Sequence, residues 1–440
     1  MNSLKSSLLT VTATLLALTV ASACPFCLSP PQTFSAQFQL ADFVAIAELH
    51  SFEVLQQGTL PVATFRVQQL LSGDPKTAAA CGVGAGRKVI RHAEAGGNPG
   101  DLYLLYGDLT DTSKSPSLQP LTGTPATFAS TPAGQATARP AAQSTAAVEW
   151  TDHTGISLST ARYLRSLPRQ ELPVPERLKW FVTHLESSDP TIAGDAWAEF
   201  GIATYEDVKG CRKLYSPDRL RSWIADPGIS SERLGLYGLM LGLCGEPADA
   251  EFLHSHLVSS DTGKFRFGAE GLLAGYLLLT GESGLAATEQ QFLQARSSTE
   301  SRHALLQTLD FFHTYEPELI PRARICLSAR KLLRDPVLAE MTIMSLSRWQ
   351  DWESIGILEQ LFHESLQSED DNSEPLQRCI LQFAQHCSRA GFAGMGPELP
   401  QVDRVTAECS GRAERFLRRV STDRPDLLQA PRAVFQGPSP

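Results

Sequence analysis

The sequence predicts a mixed, two-domain fold: a small all-β barrel first, then an all-α array of repeated helices. Three observations carry that expectation. Apolar residues before about Ser157 come in short β-branched or aromatic runs divided by Gly and Pro, whereas beyond it they recur with the 3.6-residue helical period. In the second part, two short patterns repeat at about 36 residues. At 440 residues the chain is too long for one core of ordinary size, which calls for two or more domains.

The amino terminus carries Lys5, an apolar run from Leu8 to Val20, and Ala21-Ser22-Ala23 before Cys24. This is the charged start, apolar middle and small-residue cleavage site of an export signal over 1–23, so the mature chain is expected to begin at Cys24 and to be periplasmic, cell-surface or extracellular. A lipid anchor at Cys24 is the alternative, against which Ala21 stands where acylated sites usually carry Leu. No later stretch reaches the ~18 apolar residues that span a bilayer; the longest, Leu272 to Leu279, is flanked by Glu270 and Gly281. A formal charge of -10 and a pI of about 5.5 give nucleic acid no electrostatic reason to bind.

Five strands are expected over Phe43 to Leu49, Thr64 to Leu71, Lys88 to Arg91, Leu102 to Tyr106 and Val148 to Trp150, with turns at Gly58, Gly73-Asp74-Pro75 and Gly96-Gly97-Asn98-Pro99-Gly100. Between Thr110 and Ala147 the chain is almost wholly Thr, Ser, Pro, Ala, Gly and Gln. Such a composition cannot bury enough apolar surface to offset ordering, so 110–147 reads as a disordered insertion or, alternatively, an interdomain linker. With the insertion reading the first domain spans 24–156.

The order of these features resembles the netrin-like domain shared with the tissue inhibitors of metalloproteinases. The residues that carry the resemblance are the Cys motif at Cys24, then Ala41-Asp42-Phe43-Val44-Ala45-Ile46-Ala47, Thr64-Phe65-Arg66-Val67 ending at Ser72-Gly73, and Gly100-Asp101-Leu102-Tyr103-Leu104-Leu105-Tyr106. It implies a five-stranded oligonucleotide/oligosaccharide-binding (OB) type barrel. Those inhibitors begin Cys-x-Cys, whereas this chain has Cys24-Pro25-Phe26-Cys27 and only Cys81 as a further partner in the domain.

Helical spacing runs through Arg177 to Leu185, Ile192 to Ile202, Arg219 to Ile224, Glu232 to Leu243 and Ser301 to Phe312. Asp189-Pro190, Asp226-Pro227 and Asp335-Pro336 fall 37 and 109 residues apart, the second close to three times 36. Asp before Pro suits a helix opening, because the carboxylate accepts from free amides and Pro fits the first turn. Leu241-Gly242-Leu243-Cys244-Gly245-Glu246 and Leu277-Leu278-Leu279-Thr280-Gly281-Glu282 align at a spacing of 36, with Gly at an expected helix end. Paired helices at this period resemble HEAT or armadillo arrays, here over 157–430, leaving 431–440 as a frayed tail. The whole order is similar to a family of uncharacterised secreted bacterial proteins, which implies the architecture and no activity.

Reactive potential concentrates in Cys24 and Cys27, which at this spacing can form a redox pair, hold a metal, or tie down the new amino terminus as structural disulfides with Cys81 among the candidates. The thioredoxin-type setting of such a pair, a βαβ unit, is absent. Nine cysteines leave at least one without an intrachain disulfide. If Cys379 and Cys387 share a helix they stand ~12 Å apart, beyond disulfide reach.

Cys81-Gly82-Val83-Gly84-Ala85-Gly86-Arg87-Lys88 lacks the phosphate-loop spacing, and His363-Glu364 lacks the second zinc ligand because Gln367 stands four residues on. Glu369-Asp370-Asp371 lacks the alternate ligands and central Gly of a calcium loop. No metal or cofactor is expected. Trp349 and Trp352 lie at helical spacing beside aliphatic residues; they are core side chains unless exposed on a concave face, where they become binding candidates.

These observations favour an exported, non-enzymatic protein-binding protein that uses a helical-repeat surface and a small barrel toward an unidentified protein partner. The alternatives are a thiol-disulfide oxidoreductase acting through Cys24 and Cys27, and a metalloprotease inhibitor acting through the amino-terminal Cys24.

Overall fold

A computed structural model of the chain describes residues 24, 26, 30–53, 61–92, 97–110, 147–257, 268–294, 297–367, 373–391 and 403–429. The export signal, Cys27, most of the 110–147 segment, the Glu369-Asp370-Asp371 run and the tail lie outside these residues. By contacts the chain divides into two compact units, one of residues 29–202 and one that joins the amino-terminal Cys24 and Phe26 to everything from Ala203 onward.

The first unit runs α1 (Phe34–Leu40), β1 (Phe43–Glu53), β2 (Val62–Ser72), α2 (Pro75–Ala80), β3 (Lys88–His92), β4 (Leu102–Thr110), β5 (Ala147–Ile156), α3 (Leu158–Arg165), α4 (Val174–Phe181) and α5 (Pro190–Ile202). The five strands form one antiparallel sheet in the order β3-β2-β1-β4-β5. All five predicted strands are present. β1 is central, and Phe43 to Ala47 are buried without alternation because both faces of this stretch are covered. One face gathers Ala45, Ala47, Leu49, Ala63, Phe65, Val67, Val89 and Leu105 into a core, with the Tyr103 ring edge-on to Phe65 at 5.2 Å.

Helices α3, α4 and α5 belong by contact to this unit, so the compact division falls after Ile202 rather than near Ser157. Local caps place them. Ser157 accepts from the amide of Thr160, and the hydroxyls of Ser157, Ser159 and Thr160 all donate to Asp189, at the opening of α5. Burial alone would raise the Asp189 carboxyl, but these donors hold it at about 2.

Deeper in α5, Asp195 accepts from the Phe34 amide (2.7 Å) and the Tyr163 hydroxyl (2.6 Å), which ties α1 and α3 to α5. One turn on, the buried Glu199 faces Arg177 at 3.5 Å.

The second unit contains α6 (Tyr205–Gly210), α7 (Pro217–Ala225), α8 (Ser231–Cys244), α9 (Pro247–Ser255), α10 (Ala269–Phe292), α11 (Thr299–Tyr315), α12 (Arg322–Arg330), α13 (Ala339–Arg348), α14 (Ile355–Gln367), α15 (Ser373–Ala390), α16 (Arg404–Asp423) and α17 (Pro425–Gln429). Near neighbours in sequence pack together: α7 on α8, α9 and α11 on α10, α12 on α11 and α13, α14 and α16 on α15. The Gly-Glu steps end helices as expected. Gly245 caps α8, and Gly281 interrupts α10 with a left-handed φ of 61°, a conformation that costs an L side chain strain. The Asp-Pro steps divide: Asp189-Pro190 opens α5, but Asp226 ends α7 and Asp335 folds a turn before α13, because in each case the chain needs several residues to reverse before the next helix.

The tightest contact in the unit joins α8 to α10. Over Leu234 to Gly242 of α8 and Ala269 to Leu277 of α10 nearly every side is buried, so these stretches have no polar face to leave in solvent, whereas α10 beyond Gly281 exposes Glu282, Ser283, Gln290 and Gln291. Gly235, Gly238 and Gly242 on α8 oppose Gly271, Leu272 and Gly275 on α10, and a methyl group added at Gly238 would stand 2.5 Å from the Leu272 amide nitrogen. Added at Gly271 or Gly275 it would run into the backbone oxygen of Gly235 or Gly238. The small residues let the two backbones touch.

Two stability predictions follow from these contacts. Gly271→Ala should destabilise by about 2 kcal/mol or more, because neither backbone can yield without unpacking the other, whereas Gly194→Ala, in open space on α5, should be neutral or stabilising by up to ~1 kcal/mol; denaturant midpoints separate the two. Burial raises the Asp195 carboxyl to about 6, with the Glu199 charge adding to it and the two donors opposing it. A folded value above the unfolded 3.8 means its contribution is fully present below about pH 4 and is lost as pH rises through about 6. That loss is on the order of 2–3 kcal/mol, and Asp195→Asn should flatten the slope of unfolding free energy over this window.

Candidate functional site

Phe26, the aromatic residue of the Cys motif, is a core side chain of the helical unit. It is 3% exposed, its ring lies 5.1 Å from that of Phe311, and Tyr205, Phe312 and Tyr315 surround Phe311 in turn. Cys24 is 4% exposed. It lies near Tyr215, whose phenol is pushed above its ordinary value by burial and then by the thiols of Cys211, Cys244 and Cys24, so it stays a neutral donor to the Val208 carbonyl at 2.6 Å. Cys81, at the end of α2, belongs to the other unit and is half-buried.

Among the described residues no disulfide is present, and no group of three or more His, Cys, Asp or Glu side chains is placed to hold a metal. Four thiols of the helical unit are poor nucleophiles: burial pushes Cys244 up to about 11 and Cys326, Cys379 and Cys387 up to about 12.

A groove of about 680 Å³ runs across α11, α13 and α15. Its apolar lining comes from Leu306, Met341, Ile343, Met344, Cys379 and Phe383. Three alternate helices supply it in register. Leu306, Met344 and Gln382 are spaced by 38, as are Gln307, Ser345 and Phe383, and as are Asp310, Arg348 and His386. One helical face is therefore presented three times side by side.

The polar end of the groove is organised by Asp310. Its carboxylate accepts from Arg348 Nη2 (2.8 Å to each oxygen), from Trp349 Nε1 (3.0 Å) and from Ser345 Oγ (3.1 Å). Trp349 is thus turned away from a ligand role: its indole stacks on His313 at 4.7 Å and its nitrogen is spent on Asp310. Burial, and then the charge of Arg322, push His313 below its ordinary value. Trp352 stands in a 3₁₀ turn after α13, edge-on to Phe383 at 5.4 Å, where it lines a smaller cavity of about 360 Å³ together with Arg330, Asp351, Glu353, Asp403 and Val405.

The two predicted tryptophans flank the groove rather than line it. The residues that do line it, from Leu306 to His386, carry no motif chemistry, and the signal for them was the 38-residue register rather than residue type. Comparison with known protein families and with curated protein sequences returns no match.

The thiol environment generates a direct check. In native protein at pH 8, Cys326, Cys379 and Cys387 should react with a disulfide reagent at least ~100-fold more slowly than after denaturation; fast native labelling at any of the three, located by peptide mass mapping, contradicts their placement.

Proposed function

We propose that this is an exported protein-binding protein whose contact surface is the groove across α11, α13 and α15. The observation that carries the reading is a groove lined from equivalent positions of three helices and largely apolar, with Met341 left 38% exposed and two methionines in the lining. Unbranched, polarisable Met side chains adapt to a partner's shape, and an open apolar groove of this size fits a polypeptide segment. The helical unit is then a HEAT- or armadillo-like solenoid in which sequential helix pairs stack. The sheet is read as an OB-type, netrin-like barrel, whose closure requires only that its edge strands β3 and β5 meet.

Export rests on Lys5, the apolar run from Leu8 to Val20 and the small residues before Cys24, with lipid attachment at Cys24 as the variant form of the same reading. The burial of Cys24 and Phe26 favours a structural role for the Cys motif over redox exchange or the metalloprotease wedge, both of which need an accessible Cys24.

A photo-crosslinking residue at Met344, in protein recovered from exporting cells, should yield polypeptide adducts, and the same residue at Leu366, exposed but outside the groove, should not. Equal adducts at both positions would remove the groove from consideration. Met344→Lys should weaken binding by about tenfold or more through loss of apolar contact while leaving the unfolding midpoint within a few degrees.

A further inference from the structure

Asp310, Arg348 and His386 occupy the same position on α11, α13 and α15, yet their partners differ. Asp310, the only carboxylate lining the groove, is already held by the three donors of Arg348, Trp349 and Ser345. Arg348 spends only Nη2, on Asp310 and Ser345. Among the described residues its Nε and Nη1 have no partner, and the side chain is 65% exposed.

On its other side stands His386, whose Nδ1 shares a hydrogen bond with Ser347 at 3.1 Å and whose Nε2 has no partner among the described residues. The ladder thus holds one carboxylate on the α11 side of Arg348 and the His386 imidazole, with no carboxylate in the lining, on the α15 side. The side-chain amides of Gln307 and Gln382, one on each flanking helix, also have no partner among the described residues, and each offers both a donor and an acceptor to a backbone.

Resting on the groove reading above, we infer that the occupant is an extended apolar peptide segment bearing an acidic side chain, whose carboxylate is received between Arg348 and His386. Packed helices stand ~8–10 Å apart, and an extended chain advances ~3.3 Å per residue. A peptide crossing the three helices therefore meets equivalent positions about every third residue. Its apolar side chains lie on Leu306, on Met344 and, one position further along α15 than the equivalent Gln382, on Phe383; its backbone amides lie on Gln307 and Gln382, and its carboxylate takes the free guanidinium edge, a charge-assisted bond stronger than a neutral one.

The test uses the full chain and arrays of acetylated, carboxy-amidated octapeptides of Leu, Met, Phe and Ala that carry Glu, Gln or Lys at one varied position, followed by fluorescence anisotropy on the best binders. Glu peptides should bind about tenfold tighter than their Gln counterparts, and the preference should fall with rising salt. Arg348→Gln should abolish the preference, bringing Glu and Gln peptides to the same affinity as each other. His386→Ala, at a site with less internal bonding, should reduce the preference without altering the unfolding midpoint.

Equal binding of Glu and Gln peptides, or a preference for Lys, overturns the acidic occupant. If such binding is still lost in Met344→Lys, the groove survives as the contact surface and only this inference fails. An array on which no peptide binds overturns both.

Discussion

The helical unit depends on the approach of α8 to α10. Their facing stretches, Leu234 to Gly242 and Ala269 to Leu277, are enclosed, and glycines at 235, 238, 242, 271 and 275 let their backbones come together with no side chain between. This contact has little tolerance for change, because what lies across it is main chain rather than a flexible side chain. Helices on either side inherit their placement from it: α7 packs on α8, while α9 and α11 pack on α10. The aromatic group around Phe311 of α11 then receives Phe26, and the Phe26 carbonyl reaches the face of Gly235. The amino-terminal motif is thereby joined to the most constrained part of the unit.

Across α11, α13 and α15 equivalent positions recur every 38 residues and carry different side chains, apolar at some and polar at others. Asp310 gathers Arg348, Trp349 and Ser345 and so fixes one end of the groove, while the Met and Phe side chains form its lining. The proposed protein-binding role rests on this adaptable lining. Burial holds the thiols of Cys326, Cys379 and Cys387 above their ordinary range.

The sheet unit relies on buried polar contacts instead of close backbone packing. Asp195 joins three segments distant in sequence, at Phe34, Tyr163 and its own helix, and Asp189 collects three hydroxyls at the junction of α3 and α5. Such contacts are strong only where each carboxylate oxygen finds a donor. Their opposite responses to acid follow from setting: Asp195 is dominated by burial, Asp189 by its donors.

Local chemistry made much of this legible in the sequence. The change of period near Ser157 separated strands from helices, the five strands lie where β-branched runs stand between Gly and Pro, and Gly245 and Gly281 end helices as their place after Leu-rich turns indicated. Each of these depends on a few adjacent residues. Which surfaces meet was decided only in three dimensions. The assignment of α3 to α5 to the sheet unit, the burial of Cys24 and Phe26 in the helical unit and the groove assembled from residues 38 and 76 positions apart all arise from packing between remote segments. Trp349 shows the limit most clearly: its sequence position left both a core and a binding place open, and only the fold stacks its indole on His313 and aims its nitrogen at Asp310.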